Sequence, residues 1–317
     1  MYCKGPNTMA LFLSNDDVSG LLSVAECVEV LEDLFQQEGR GLVENLPRRR
    51  ARYGRAGTSL MGGAVLGSQA YGVRHSTHSL LYNTETGALD AVFEPGTLAW
   101  IRTGAASGVA AKYLAASDAS VVGMIGTGRQ AITQIEAICA VRPVKQVKVF
   151  SRTEATRTAF AREMTERLGV EVVPVATTEA SVQGSQIVIA ITNAREPVFD
   201  GNLIEPGACV IAAGSNSYAK REVDTTTIQR ASVVAVDNLE QAKIECGELI
   251  WAVDRGEFRW QQAVELHRIV SGQVSGRPTA DAITLFESQG IGIEDVAAMS
   301  YVLRKARTAE VGVQLPF

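Results

Sequence analysis

A chain of 317 residues, 46 % hydrophobic and 21 % charged, holds enough apolar material for a large core, most naturally split between two domains, and excludes a disordered protein. Its net charge of −5 excludes a general binder of nucleic acid or anionic membrane, which needs a basic excess, so the expected partner is a small molecule. The five cysteines, Cys3, Cys27, Cys139, Cys209 and Cys246, include no C-x-x-C pair and indicate neither a zinc site nor a disulfide framework; reduced thiols in a cytoplasm are expected.

The opening MYCKGPNTMALFLSNDDVSGLL meets Asp16 and Asp17 before any long apolar segment, which is not the pattern of a signal peptide, and no membrane-length apolar run follows. The lead before Met9 is read either as an extension or as an alternative start. Residues 18–39 have helical periodicity and stop at two glycines flanking Arg40, so one helix with a glycine cap is expected. Residues 51–92 change to short apolar runs broken by Gly and Asn, a sheet of hairpins in which AYGVRHSTHSLLYN and GALDAVFE flank the Thr-Glu-Thr turn near Gly87. GTLAWIRTGAASGVAAKYLA then reads as a helix whose small side chains permit close packing.

From Ala119 the chain alternates strand and helix. SVVGMIGTGRQAITQIEAICA and QVKVFSRTEATRTAFAREMTERLG are two such units, and QIVIAITNA, ACVIAAGSN and SVVAVDN supply further buried strands. The pattern predicts an α/β fold with a doubly wound parallel sheet. The late segment GIGIEDVAAMSYVLRKARTAEVG is an amphipathic helix expected to return to the first domain. Domain bounds of 1–117 with 294–317, and 118–293, follow.

The turn Gly126-Thr127-Gly128-Arg129-Gln130-Ala131 follows an apolar strand and opens a helix, the context in which a glycine turn binds a dinucleotide. Gly126 permits the tight turn, Gly128 lets backbone approach a pyrophosphate, Ala131 allows close helix packing, and the helix N-terminus offers N–H donors. The alternative is an ordinary turn of an α/β domain. At the tip of the second strand an acidic residue would select NAD through the ribose 2′-OH, but this chain has Ser151, Arg152 and Thr153. That set favours NADP(H), with NAD(H) left open, unless Arg152 is only a solvated loop residue.

Taken together, LPRRRA, YGVRHS, WIRTGAASGVAAKYLA, GMIGTGRQA, VFSRT, VIAAGSNSYAKREVD, VVAVDNLEQAKIECGEL and ITLFESQGIGIEDVAA resemble, in this order, the ornithine cyclodeaminase/mu-crystallin family over nearly the whole chain. The resemblance implies a Rossmann domain plus an α+β substrate-binding and dimerisation domain, built from the N-terminal part and the C-terminal helix, in a homodimer. It implies that Arg49 and Arg102 hold a substrate carboxylate, with Arg48 and Arg50 leaving the first register open. Thr103 and Gln130 match cofactor-holding positions, and Thr192 with the Ala213-Gly214-Ser215 turn matches the nicotinamide lining. Two positions depart from the family. Arg74 replaces its usual lysine, and Asn216 stands where cyclodeaminases carry an aspartate in a Gly-Gly-Asp turn.

An imino or amino acid bears a carboxylate that Arg49, Arg102 and Arg74 would grip by charge-assisted hydrogen bonds. Arginine does not release a proton near neutrality, so the expected local acid is His78, two-residue alternation placing it with Arg74 on one strand face. A structural role is the alternative for either histidine of this stretch. Asp295 orients the substrate nitrogen or a water, or caps the last helix. The expected activity is NAD(P)H-dependent reduction of a ketimine or cyclic imino acid of the Δ1-pyrroline-2-carboxylate type to an L-amino acid. An alanine-type dehydrogenase, an ornithine cyclodeaminase and a non-catalytic NADPH-binding crystallin are the alternatives; Asn216, which cannot ionise, counts against the cyclodeaminase.

Overall fold

The computed structural model describes residues 9–316 except Arg55; the lead before Met9, with Cys3, lies outside the described residues. The chain divides into two units, one comprising the residues up to Arg102 with those from Ile291 onward, the other Thr103–Gly290.

The first unit begins with β1 (Leu11–Leu13), α1 (Asn15–Leu21) and α2 (Val24–Gly39). The single helix expected over 18–39 is thus two. Ser14 with Asp17 and Ser23 with Glu26 each form a reciprocal capping box, and the second box restarts the helix where periodicity alone reads straight through. Strands β2 (Val43–Tyr53), β3 (Ala56–Val65), β4 (Ala70–His75), β5 (Ser79–Asn83) and β6 (Leu89–Phe93) form the anticipated hairpins. The Asn83 side chain accepts from the backbone N–H of Glu85 and Thr86 to close the turn before Gly87.

Helix α3 (Thr97–Leu114) carries the chain into the second unit. There β7 (Val121–Ile125), α4 (Arg129–Val141), β8 (Gln146–Phe150), α5 (Glu154–Leu168) and β9 (Glu171–Pro174) make one half of the sheet. After α6 (Thr178–Val182) the other half begins with β10 (Ile187–Ala190), β11 (Cys209–Ala212), α7 (Thr225–Arg230) and β12 (Val233–Val236). It ends with α8 (Leu239–Glu245), α9 (Gly247–Asp254), β13 (Ala263–Glu265), α10 (Leu266–Val270) and β14 (Thr284–Glu287). The chain then re-enters the first unit as α11 (Gly292–Ala309) and β15 (Val313–Gln314).

The second unit's eight strands are all parallel, in the order β13-β12-β14-β11-β10-β7-β8-β9. β7 leads outward to β8 on one side, while β10 lies on its other side, so the strand order reverses between β7 and β10. That is where such sheets bind ligands, beyond the carboxyl ends of the strands. Strands β10, β11, β12 and β14 are buried along their whole length, as helices on both faces require. The division between units falls inside α3, earlier than the anticipated 117/118. The later turns of α3 belong with the sheet: Gln134 donates to the Thr103 carbonyl, and Arg142 donates to the carbonyls of Ala111, Lys112 and Ala115.

In the first unit the seven strands run β15-β1-β6-β5-β4-β3-β2, and α11 packs on β2, β3, β4 and α2. A Cβ on Gly292 would collide with the backbone of Gly62 on β3, so this helix start touches the sheet backbone to backbone. Gly292→Ala should therefore cost ~1–3 kcal/mol by overpacking. Were the approach looser, the substitution would be neutral or stabilising, as Ala for Gly in a helix usually is; denaturant midpoints decide.

Candidate active site

Burying a guanidinium requires that its charge and its N–H donors be met. Arg102, 4 % exposed, donates from Nη1 to Glu294 at 3.0 Å and from Nε to Asp295 Oδ1 at 3.4 Å. Arg74, directed from β4 toward the same helix, donates to Asp295 Oδ1 at 3.0 Å. Both acids belong to the first turn of α11. Met61 stands opposite Arg74 in the β3–β4 register, and the buried Arg48 reaches Met61 Sδ at 3.1 Å. Arg48, Met61 and Arg74 thus share the sheet face that α11 covers. Arg48, Arg74, Arg102, Glu294 and Asp295 carry one more positive than negative charge. Oδ2 of Asp295, also buried, accepts nothing from the described residues.

Three expectations change here. Arg49 is exposed and Arg48 is the inward arginine, because a bulge between Leu46 and Arg49 shifts the β2 register and resets which residues face inward. His78 does not share a strand face with Arg74. β4 ends at His75, and His78 is exposed in the following turn, where its carbonyl accepts from the His75 N–H. Asp295 does not cap the helix: Ile291 is the N-cap residue, and Asp295 is buried in an ion pair with Arg74 and Arg102.

In the second unit the expected cofactor residues lie on one edge of the parallel sheet. Gly126 follows β7 with φ +113°, and a Cβ there would strike the Ile191 carbonyl after β10, so only glycine makes this turn. Gly128 precedes α4 without a side-chain cap, and the position of a Cβ on it is open space. Thr127, Gly128, Arg129 and Gln130 therefore leave uncapped helix donors beside an open cradle, which fits a dinucleotide's phosphates. Thr103 is buried on α3, next to α4 through Gln134. Ser151, Arg152 and Thr153 follow β8; Arg152 is exposed and makes no ion pair among the described residues, while Arg157 holds the Ser151 carbonyl at 3.1 Å. Thr192 follows β10, and Gly214 and Ser215 follow β11.

Beneath those last turns is a group of buried acids, Glu222, Asp237, Glu248 and Glu287. Glu248 is pushed up to about 7 and Asp237 to about 6, chiefly by burial. Glu287 stands well above the usual carboxylate range for the same reason, with Glu248 beside it as the second cause.

The profile of the ornithine cyclodeaminase/mu-crystallin family matches residues 8–310. The chain belongs to this family. Among its relatives, the Δ1-pyrroline-2-carboxylate reductase of Bacillus cereus is 35 % identical over 239 residues, covering 75 % of this chain and 73 % of that one. The alanine dehydrogenase of Archaeoglobus fulgidus is 30 % identical over 97 % of this chain and 98 % of its own. The structure of Thermococcus litoralis Δ1-pyrroline-2-carboxylate reductase in complex with NADH and L-proline superposes with a TM-score of 0.92 at 32 % identity, over 96 % of this chain and all of that one.

Sequence reasoning about this family member left Arg48 open beside Arg49 and missed Glu294, Arg157 and Glu222 as site residues. Glu294 carried a signal in the Glu-Asp pair of GIGIEDVAA, since adjacent acids at a buried helix start need cations. The buried acids have a consequence for stability. A carboxyl whose pKa rises on folding keeps its proton in the folded chain after the unfolded chain has lost it, so stability falls as pH rises through the folded value. The thermal midpoint should drop between about pH 5 and about pH 8, and Glu248→Gln should flatten that slope. An unchanged slope in the variant would assign the titration elsewhere.

Proposed function

We propose that this protein is an NAD(P)H-dependent reductase that converts a ketimine or cyclic imino acid of the Δ1-pyrroline-2-carboxylate type to an L-amino acid. The observation that carries the reading is the gathering of three arginines at the start of α11, Arg48 and Arg102 buried and Arg74 half-buried, with Arg74 and Arg102 meeting at Asp295, a setting suited to holding a substrate carboxylate. A nicotinamide dinucleotide, held by the Gly126–Gln130 turn, Thr103, Thr192, Gly214 and Ser215, supplies a hydride to the C=N carbon when bound. Arg48, Arg74 and Arg102 bind and orient the carboxylate. Asp295 Oδ2 accepts the iminium N–H and favours the protonated imine. Addition of hydride to the iminium carbon leaves a neutral amine, which takes its proton from solvent, so His78 is not needed as an acid and Arg74 serves as a binding group.

A cyclodeaminase would need an ionisable group where the chain has Asn216, which is exposed and cannot exchange a proton. The alanine-type reading is favoured by the likeness to the A. fulgidus enzyme over nearly the full chain. A panel separates the three. The cyclic imine should turn over with NADPH, faster at mildly acidic pH than above neutrality. Faster reduction of pyruvate plus ammonium would favour the dehydrogenase, and proline with ammonia from ornithine and catalytic NAD⁺ would reinstate the cyclodeaminase. Within the panel, Arg48→Ala should lose about 2–5 kcal/mol in kcat/KM by removing a buried charge-assisted contact, whereas Arg49→Ala should stay near the parent.

Leu46 on β2, Leu60 on β3, and Leu42 and Leu66 at the open end of this hairpin are exposed, and exposed leucines of this kind support a homodimer. The four described cysteines are all free, and no helix among the described residues is long and apolar enough to cross a membrane; both fit a cytoplasmic enzyme. NADP(H) is the favoured cofactor, because Arg152 is exposed without an ion-pair partner among the described residues where an acid would select NAD(H). Arg152→Ala should weaken NADPH at least tenfold while leaving NADH nearly unchanged, as read by nucleotide fluorescence titration. Equal losses would remove the 2′-phosphate assignment.

A further inference from the structure

Glu222 belongs to none of the motifs that bind phosphate or carboxylate, yet it is fully buried. Its Oε1 accepts from both the backbone N–H of Thr192 at 2.5 Å and the Thr192 hydroxyl at 2.7 Å. Its Oε2 accepts from the Gly214 N–H at 2.6 Å. One carboxylate therefore joins the turn after β10 to the turn after β11, next to the reversal of strand order. The approach is close enough that a Cβ on Gly214 would collide with Thr192 and with Glu222 Oε1.

Glu222 is itself held. Its carbonyl accepts from the Val198 N–H at 2.9 Å, and its own N–H donates to Glu248 Oε1 at 2.7 Å. Glu248 is in turn packed with Cys246 and Glu287, all buried. A buried carboxylate is costly, and three donors converging on it are the compensation. Such an arrangement fixes the two strand-end loops to each other.

We propose that Glu222 is a positioning residue for the nicotinamide end of the cofactor, tying Thr192 to Gly214 so that the loops after β10 and β11 stay in the form that accepts the ring. The proposal rests on the dinucleotide reading given above and adds to it a division of labour within the second unit. The Gly126–Gln130 turn would hold the phosphates, and the Glu222 clasp would shape the nicotinamide end independently. Glutamine at 222 keeps the volume but presents an NH₂ group to an N–H donor, so it opens one side of the clasp without leaving a cavity.

The test compares two ligands on the intact protein, NADH and ADP-ribose, which lacks the nicotinamide. Glu222→Gln should weaken NADH roughly tenfold, the scale of one or two lost buried hydrogen bonds, and leave ADP-ribose within about twofold of the parent. Parallel loss of both ligands would make Glu222 a general support of the domain and overturn the proposal, as would no loss of either. Failure of the parent to bind either ligand would instead overturn the dinucleotide reading on which the proposal rests. If Glu222→Gln does not fold, Glu248→Ala removes the prop beneath it and should show the same selective loss, with Glu248→Gln, which keeps an acceptor for the Glu222 N–H, restoring NADH affinity. Equal NADH affinity in Glu248→Ala and Glu248→Gln would then overturn the proposal.

Discussion

The first unit depends on a guanidinium that cannot be buried alone. Arg102 lies on the first turns of α3, where the neighbouring side chains are uncharged, so its acidic partners must come from elsewhere in the chain. Glu294 and Asp295 answer its charge from nearly two hundred residues away. Removing one partner of such a pair leaves an uncompensated charge, which is why the geometry of α11 is narrowly constrained. The backbone contact between Gly292 and Gly62 sets how closely the helix start approaches the sheet, and that approach carries both carboxylates to Arg102 and Arg74. Packing and charge are thus solved by the same residues.

The second unit meets a similar demand with the opposite sign. Glu222, in the loop before α7, and Asp237, just after β12, are buried acids, and each is met by backbone N–H groups: Glu222 by those of Thr192 and Gly214, Asp237 by those of Asn238, Gln289 and Gly290. Loops at the carboxyl edge of a parallel sheet have no ladder partners to order them. Carboxylates placed beneath them supply acceptors without filling the space a ligand needs. One unit therefore uses anions to answer buried cations, while the other uses anions to brace loops.

Much of this was legible in the sequence, and the exceptions have physical causes. The parallel sheet announced itself through apolar runs alternating with helices, and Gly126 was readable because a turn with its positive φ and close backbone contact tolerates few other residues. The break between α1 and α2 was hidden in periodicity but written in Ser23 and Glu26. The inward arginine of LPRRRA could not be chosen by counting, since the bulge after Leu46 changes the face. His78 was misplaced because a two-residue alternation says nothing of where a strand stops. The pairing of Arg102 with Glu294 has no local signature; it is a property of the closed fold.

That long-range closure also sets an order of events during synthesis. Residues 103–290 are contiguous, and their strands pair with neighbours already made or soon to follow, so this unit can form once its own segment has left the ribosome. The N-terminal sheet cannot finish in the same way. Its covering helix and the acids that answer Arg102 and Arg74 follow the whole of residues 103–290 in the chain, so a unit begun earlier is completed later. Until then one face of that sheet and two guanidinium groups remain without their cover, a period of exposure to aggregation and to chaperones that the order of the gene imposes.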